Sequence, residues 1–362
     1  MPYYPETTVI QGLARVVRER RLPPQAIPRL TPGTLVGSHV EAMSVVLQGD
    51  LLHDYRILDA AAALKLRRTD SDQMAGMIQV SEGQRIQIGQ ELARRGRGRR
   101  GKVLPSPVEG VVVRVEGPLI FIQVSERALE VLANMPGEIE LVESHKVKIV
   151  SNGAVLQCAW GNGRYSYSVF KFVPEDGFVG LSKLDPRISE YRGVVVVSPR
   201  PLNKGDLMVA QQQEAGGVVA PSMPANLREF AMQLTFPVLL TEGFGHRRPT
   251  PLIYRLLEDN MKRQAAFDAA LPDPWSWDRP EIVIPLPAGG VLPPTPALDR
   301  ALTVGALVRM TRAPWEGLIG KVVELPESPQ VVDSGLRVPS ARVRLSNERV
   351  GLVPLANLEL LG

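Results

Sequence analysis

Glycine and proline divide this chain into short segments along nearly its whole length. The 362 residues contain 32 glycines and 32 prolines, and both residue types interrupt helices and strands and favour turns. Hydrophobic residues make up 44% of the chain but aromatic residues only 5%, so the cores between the turns are expected to be mostly aliphatic. The chain length and the many glycines and prolines together predict about two to four β-rich domains.

Charge and cysteine content limit which partners and which cellular compartment suit this chain. The formal net charge is +4, which permits an acidic partner without requiring one. The single cysteine, Cys158, excludes an internal disulfide and fits a reducing compartment; its strand-like surroundings predict a buried, unreactive side chain. The N-terminal segment lacks the apolar core of a signal peptide. No apolar run approaches the roughly 18 residues of a membrane span. We therefore expect a cytoplasmic protein without a membrane partner.

Residues 1–145 have a β-like pattern, and part of this region has a recognisable rhythm. The stretches SEGQRIQIGQELARR (81–95) and LPSPVEGVVVRVEGPLIFIQ (104–123) alternate strands with glycine and proline turns. This rhythm resembles the barrel-sandwich hybrid fold of biotinyl and lipoyl modules. Carrier domains of that type place a modified lysine at a hairpin tip, and the turns at 105–110 and 116–118 contain none. The resemblance therefore implies the fold without the carrier role.

Residues 146–285 combine a β-hairpin segment with a small α/β domain. Asn162-Gly163 is a hairpin signal between two alternating runs. Farther along, strand-like segments at 192–198, 216–222, 236–245 and 280–285 alternate with helical patterns at 204–215, 225–234 and 250–267. Such alternation predicts a small parallel sheet, similar to a swivelling or flavodoxin-like half domain.

The C-terminal block, residues 302–362, follows a Pro/Gly-rich linker at 286–301. Its motif residues are Val308, Arg309, Pro314, Trp315, Gly317, Gly320 and Val322. Their spacing resembles the KOW motif of NusG-type transcription factors and some ribosomal proteins. The resemblance implies an SH3-like barrel that binds RNA or protein or packs against its neighbours. Val308, Val322 and Val343 would alternate into its core. The fold class is thus a multidomain, β-rich α+β chain with barrel-sandwich-like, parallel α/β and SH3-like parts.

Two basic tracts are candidates for binding nucleic acid or an acidic protein. Flexible glycines separate the basic residues of the 93–102 loop, and Trp315 beside basic side chains would suit stacking combined with phosphate contacts. The alternatives are a solvated loop without a partner and a Trp315 packed in the barrel core. The candidate residues are Arg94, Arg95, Arg97, Arg99, Arg100, Lys102, Arg309, Arg312, Trp315 and Lys321.

The turn at 241–248 is the segment that most resembles an active site. It follows a predicted strand, and ligands of parallel sheets bind at the carboxyl ends of strands. A small-anion site here would use Glu242, Gly243, Gly245, His246 and Arg247; the alternative is an ordinary strand-to-helix turn. Ser222 lacks the surroundings of a nucleophile elbow. The four histidines are far apart in sequence, so no metal site is predicted. The sequence also predicts no cofactor and no catalytic residue.

These observations favour a non-catalytic scaffold or adaptor that binds other proteins, including copies of itself. The first alternative is an RNA-associated factor at the ribosome or RNA polymerase, acting through the KOW barrel and the basic loop. The second is an enzyme or small-anion sensor that uses the 241–248 turn.

Overall fold

The computed structural model describes most of the chain, with strands as its main elements. The described residues are 2–24, 26–51, 55–66, 76–96, 101–124, 127–247, 249–271, 279–287, 292–293, 299–345 and 348–362. No helix in these ranges combines the length and the apolar character that a membrane span requires.

The N-terminal elements are short strands and one short helix. They are β1 (Thr7–Thr8), β2 (Ile10–Arg21), β3 (Ala26–Arg29), β4 (His39–Val40), β5 (Val45–Leu51), β6 (Tyr55–Asp59), α1 (Ala60–Ala63), β7 (Arg85–Ile86), β8 (Glu91–Arg95), β9 (Lys102–Pro105), β10 (Gly110–Glu116), β11 (Leu119–Val124), β12 (Arg127–Leu132) and β13 (Gly137–Glu143).

The segment from β6 to β11 forms a small unit with its own core. Four strands pair in the order β6-β11-β10-β7, and β8 and β9 form a separate hairpin. Ile86, Leu92, Val112, Ile120 and Ile122 are fully buried together. The unit also contains the short helix α1, where the carboxylate of Asp59 accepts a hydrogen bond from the Ala62 amide and caps the helix start.

The central elements alternate strands with helices. They are β14 (Lys146–Gln157), β15 (Trp160–Gly161), β16 (Tyr165–Phe172), α2 (Phe178–Ser182), β17 (Val195–Val197), α3 (Lys204–Gln212), β18 (Gly217–Met223), a 3₁₀ turn (Ala225–Leu227), α4 (Arg228–Gln233), β19 (Val238–Phe244), α5 (Pro251–Asp259), β20 (Gln264–Asp268) and β21 (Glu281–Pro285).

A parallel unit is present at three of the expected strands, whereas the strand expected at 280–285 (β21) pairs antiparallel with β14 and β20. Strands β16, β17, β18 and β19 lie side by side in chain order, and each adjacent pair is parallel. Helices α2, α3 and α4 pack on one face of this sheet. On the other face, Ile253 and Leu257 of α5 pack with Phe170 and Phe267. A parallel sheet buried on both faces accounts for the nearly continuous apolar runs of its strands.

Two local predictions in this region are wrong. The helix expected over 250–267 ends at Asp259, and 264–268 forms β20, which pairs antiparallel with β16 and β21. The hairpin expected at Asn162-Gly163 does not form, because β20 and β21 lie between β14 and β16 in the sheet. The Asn162 side chain is instead buried: its amide nitrogen donates to the carbonyls of Ala231 and Phe236, and its oxygen accepts from the Val238 amide.

Beyond its parallel strands, the same sheet continues through antiparallel strands into the N-terminal region. β14, which begins at Lys146, pairs with β13, β2 and β21. An eleven-stranded sheet of described residues therefore runs from β15 through β19, β18, β17, β16, β20, β21, β14 and β13 to β4, with β2 paired beside β14. A separate sheet, β12-β5-β3, contributes Val46 and Leu47 to the core on the N-terminal part of this large sheet.

The C-terminal elements are antiparallel strands and a final 3₁₀ turn. They are β22 (Leu307–Met310), β23 (Ile319–Glu324), β24 (Gln330–Val331), β25 (Arg337–Val338), β26 (Ser340–Leu345), β27 (Val350–Pro354), a 3₁₀ turn (Leu355–Asn357) and β28 (Leu358–Leu361).

Five of these strands join β1 in a six-stranded sheet of the order β1-β28-β22-β23-β26-β27, and β24 and β25 form a separate hairpin. β1, from the other end of the chain, pairs parallel with β28. Val308, Val322 and Val343 are buried in its core as predicted. Among the described residues, the two edge strands β1 and β27 do not pair with each other, so the expected closed barrel is not present.

Candidate functional site

Three buried charged side chains meet where the C-terminal sheet contacts the parallel sheet. Glu242 lies near the carboxyl end of β19, Arg309 in β22 and Glu359 in β28. Their exposed fractions are only 5%, 6% and 6%. Charges are rarely buried unless they are paired, because removing them from water is costly. Their partners therefore decide what this site can do.

The Arg309 guanidinium binds both carboxylates. One terminal nitrogen donates to Glu242 and, over 3.1 Å, to the hydroxyl of Thr250. Its Nε donates to Glu359 over 2.9 Å, and its other terminal nitrogen donates to the same carboxylate oxygen. Arg309 and Glu359 are direct neighbours in the β22–β28 pair. The sheet register thus sets one ion pair, and the docking of the two sheets sets the other.

Further hydrogen bonds satisfy the remaining oxygens. The second oxygen of Glu242 accepts the Thr250 amide over 3.2 Å, directly before α5. The Thr8 hydroxyl of β1 donates to Glu359 and accepts from Arg279 over 3.2 Å. We call Thr8, Glu242, Thr250, Arg309 and Glu359 the Arg309 cluster. It connects β1, β19, α5, β22 and β28, so three distant parts of the chain are joined through buried polar groups.

Burial and charge act in opposite directions on this cluster. Burial raises the pKa of Glu242 above its ordinary value, although the Arg309 charge opposes the shift. Burial alone would lower the pKa of Arg309, but the charges of Glu359 and Glu242 outweigh it and raise that pKa. Arg309 is therefore firmly charged, and it is the cation that the two carboxylates share.

The turn after β19 does not assemble the predicted anion site. Glu242 faces Arg309, while His246 is exposed to solvent. Arg247 donates to the Phe244 carbonyl over 3.2 Å and lies 3.8 Å from the Glu316 carboxylate. Gly243 and Gly245 have φ of +93° and +107°, which glycine adopts without strain. The turn they allow directs these side chains to different partners, so they do not converge on one ligand position.

The predicted basic residues of the C-terminal sheet differ in burial and do not all face solvent. Arg309 lies in the interior and does not contribute to an exposed basic surface, because its guanidinium is used by Glu242 and Glu359. Arg312 and Lys321 are exposed. Trp315 is half-buried and packs on the C-terminal core, and its ring lies so close to Gly351 that a Cβ there would be 2.9 Å from it.

The 93–102 loop is described only at its base. The Arg94 guanidinium binds the carboxylate of Glu91, and Arg95 donates to the backbone carbonyls of Leu64 and Lys65 over 3.3 and 3.2 Å. Lys102 is exposed at the start of β9. Arg97, Arg99 and Arg100 lie outside the described residues. The two arginines at the base thus have contacts within their own unit.

Cys158 and Ser222, which the sequence does not predict to be reactive, are both buried in the core. Cys158 is buried, as predicted, and burial raises the pKa of its thiol with help from the nearby charges of Glu242 and Glu281. Ser222 is fully buried in β18, and its hydroxyl accepts the amide of Arg247 over 3.0 Å. Neither group is presented to a substrate.

Sequence reasoning did not identify Thr8, Thr250, Glu359 or Arg279. One signal was present: Arg309 and Glu359 each interrupt an otherwise apolar strand, in LVRM and LELL. A lone charge in such a run needs a buried partner. No corresponding signal marks the two threonines, whose hydroxyls take part only because the sheets meet there.

No protein-family model matches this chain, and no curated protein and no solved structure matches it either.

Proposed function

We propose that this chain is a non-catalytic scaffold or adaptor that binds other proteins, including copies of itself. The observation that supports the proposal is the Arg309–Glu242 ion pair. Parallel sheets bind ligands at the carboxyl ends of their strands, and here a side chain of the chain's own C-terminal sheet reaches that position. The proposal is that this position serves to dock two modules, and that the rigid body so formed presents surfaces to partners.

The proposal also assigns a fold to each of two modules. We propose that β22 to β28 form an open SH3-like sheet of KOW type. In its support, β22, β23, β26 and β27 are successive antiparallel neighbours, and β28 returns to β22 after a 3₁₀ turn. We propose that residues 81–123 form a barrel-sandwich-like unit, supported by the separate core that contains Ile86 and Ile122.

The RNA-associated alternative has weaker support from the described surface. Arg342 lies 3.1 Å from Glu324, and Arg344 lies 3.9 Å from Glu348. Carboxylates interleaved with the basic side chains reduce the positive potential that attracts phosphates. The small-anion alternative is weakened because both oxygens of Glu242 already accept hydrogen bonds within the protein.

The test is the mass of the purified chain by light scattering, with absorbance at 260 and 280 nm before and after nuclease treatment. Copurified protein or a nucleic-acid-free assembly of several chains supports the adaptor. A signal at 260 nm that nuclease removes, together with a fall in mass to one chain, would favour the RNA alternative. A bare monomer that phosphate or sulfate stabilises against heat, with the shift lost in Glu242→Ala, would favour the anion sensor.

A further inference from the structure

An apolar groove lies where the docked C-terminal sheet meets the start of α5. The cavity has a volume of about 750 Å³, a size typical of ligand sites. Pro251 and Leu252 line one wall, and Leu307, Leu318, Lys321 and Arg344 line the other. We call this cavity the junction groove. It is a composite site, since neither module supplies both walls.

The apolar side chains of the junction groove are incompletely covered. Leu252, Leu307 and Leu318 are 40%, 41% and 44% exposed. Leu252 belongs to the outer side of α5, because Ile253 and Leu257 are the buried residues of that helix. Three leucines from three segments therefore face one open space, whereas exposed leucines on ordinary surfaces occur singly.

The charges around the junction groove are unbalanced at Lys321. Arg344 has Glu348 at 3.9 Å, and Glu316 has Arg247 at 3.8 Å. Lys321 has no ion pair among the described residues, and its neighbours across the strands are Leu307 and Arg344. An occupant with a carboxylate beside apolar side chains would complement this arrangement, because opposite charges at an interface favour one orientation and partner.

We propose that the junction groove binds an extended peptide segment of a partner protein, with apolar side chains against Leu252, Leu307 and Leu318 and an Asp or Glu against Lys321. An extended chain places alternate side chains on one face, so apolar and acidic residues in alternation fit a narrow groove between two walls. The inference depends on the proposed adaptor function and names the chemistry of its partner. It also makes the Arg309 cluster a requirement for binding, because that cluster holds the two walls together.

The experiment selects peptides that bind the full chain from a random library displayed on phage, and then titrates labelled selected peptides by fluorescence polarisation. We expect selected peptides in which apolar residues alternate with Asp or Glu. Leu252→Glu and Lys321→Glu should each weaken binding about ten-fold or more, which corresponds to about 1.4 kcal/mol. Selection against Lys321→Glu should yield Lys or Arg where the originally selected peptides carry an acid. Leu336→Glu, at an exposed leucine of the separate β24–β25 hairpin, is the control and should bind like the original chain.

The outcomes separate this inference from the proposed function. Peptides whose affinity is unchanged in both groove variants would overturn the groove and leave the adaptor function standing. No selected peptide at all would overturn the groove and count against the adaptor. Binding of a labelled oligouridine that Lys321→Glu weakens and Leu252→Glu does not would overturn the peptide assignment in favour of RNA.

Discussion

The Arg309 guanidinium donates a hydrogen bond to the Glu242 carboxylate, although the two residues are 67 positions apart and lie in different sheets. Each is a charged residue in a strand of otherwise mostly apolar side chains. Their contact places the C-terminal sheet against the turn that follows β19. The junction groove exists because of this docking.

Replacing Arg309 with methionine should strongly destabilise the protein. The change keeps much of the side-chain volume but leaves Glu242 buried without a cation and Glu359 with only Arg279, at 3.9 Å, and breaking a buried pair costs about 3–5 kcal/mol. Urea unfolding monitored by circular dichroism measures the loss. Arg312→Met, an exposed arginine of the same sheet region, is the control and should change stability by less than about 0.5 kcal/mol. Equal effects of the two substitutions would refute a special role for Arg309.

Asp268 should give a measurable pH dependence of stability. It lies 3.7 Å from Arg20, yet burial raises its pKa above the ordinary value of 3.8, aided by the charge of Glu281 and opposed by those of Arg20 and Arg18. The folded state therefore retains the proton at a higher pH than the unfolded state does. The stabilisation that results is present at low pH and is lost as the pH rises through the folded-state pKa.

The measurement for Asp268 is the unfolding free energy of the original chain minus that of Asp268→Asn, between about pH 4 and pH 7. Asparagine does not titrate, so this difference should decrease as the pH rises. Asp176→Asn, at an exposed aspartate, controls for general effects of the substitution. A difference that grows with pH would show that the Asp268 pKa is lowered instead.

Gly351→Val should displace Trp315. A Cβ at position 351 would lie 2.9–3.3 Å from three atoms of the Trp315 ring, and overpacking of this kind costs about 1–3 kcal/mol. We expect a lower melting temperature and a red-shifted tryptophan emission. In a Trp315→Ala background, the same Gly351→Val change should cost much less stability than it does in the original chain. If valine costs the same with and without the tryptophan, the ring does not lie over Gly351.

Cys158 should not react in the folded protein. It is buried, and its thiol pKa is raised by that burial, so the reactive thiolate is scarce and inaccessible. Ellman's reagent should release no colour under native conditions and one equivalent per chain in concentrated guanidinium, because the chain has one cysteine. Rapid native labelling would place Cys158 at a surface.

Local sequence patterns predict an element correctly where its tertiary contacts favour the same structure. The valine run at β17 and the helix α3 were both recognisable, and α3 begins with reciprocal hydrogen bonds between Asn203 and Asp206. Residues 264–268 were misread, because alanines favour helices but here pair as a strand between β16 and β21. Asn162-Gly163 carries a hairpin signal, yet the Asn162 amide is used to hold the start of β19. Tertiary pairing decided both cases.

The candidate site shows the same limit more clearly. Glu242 and Arg309 were both recognised from sequence, but as parts of two different surfaces. Their ion pair depends on how one sheet docks on another, and no spacing or periodicity within either segment encodes that geometry. The charge in each apolar strand indicates that a partner exists, and only the structure identifies it.

The most direct test of the account is a double-mutant cycle between Arg309→Met and Glu242→Gln, measured by urea unfolding of the full chain. If the two residues form the contact that docks the C-terminal sheet, the double variant should be more stable than the sum of the single effects predicts, by about 0.5–3 kcal/mol as found for directly interacting residues. Effects that add to within about 0.3–0.5 kcal/mol, as for distant independent sites, would contradict the docking contact and with it the composite groove.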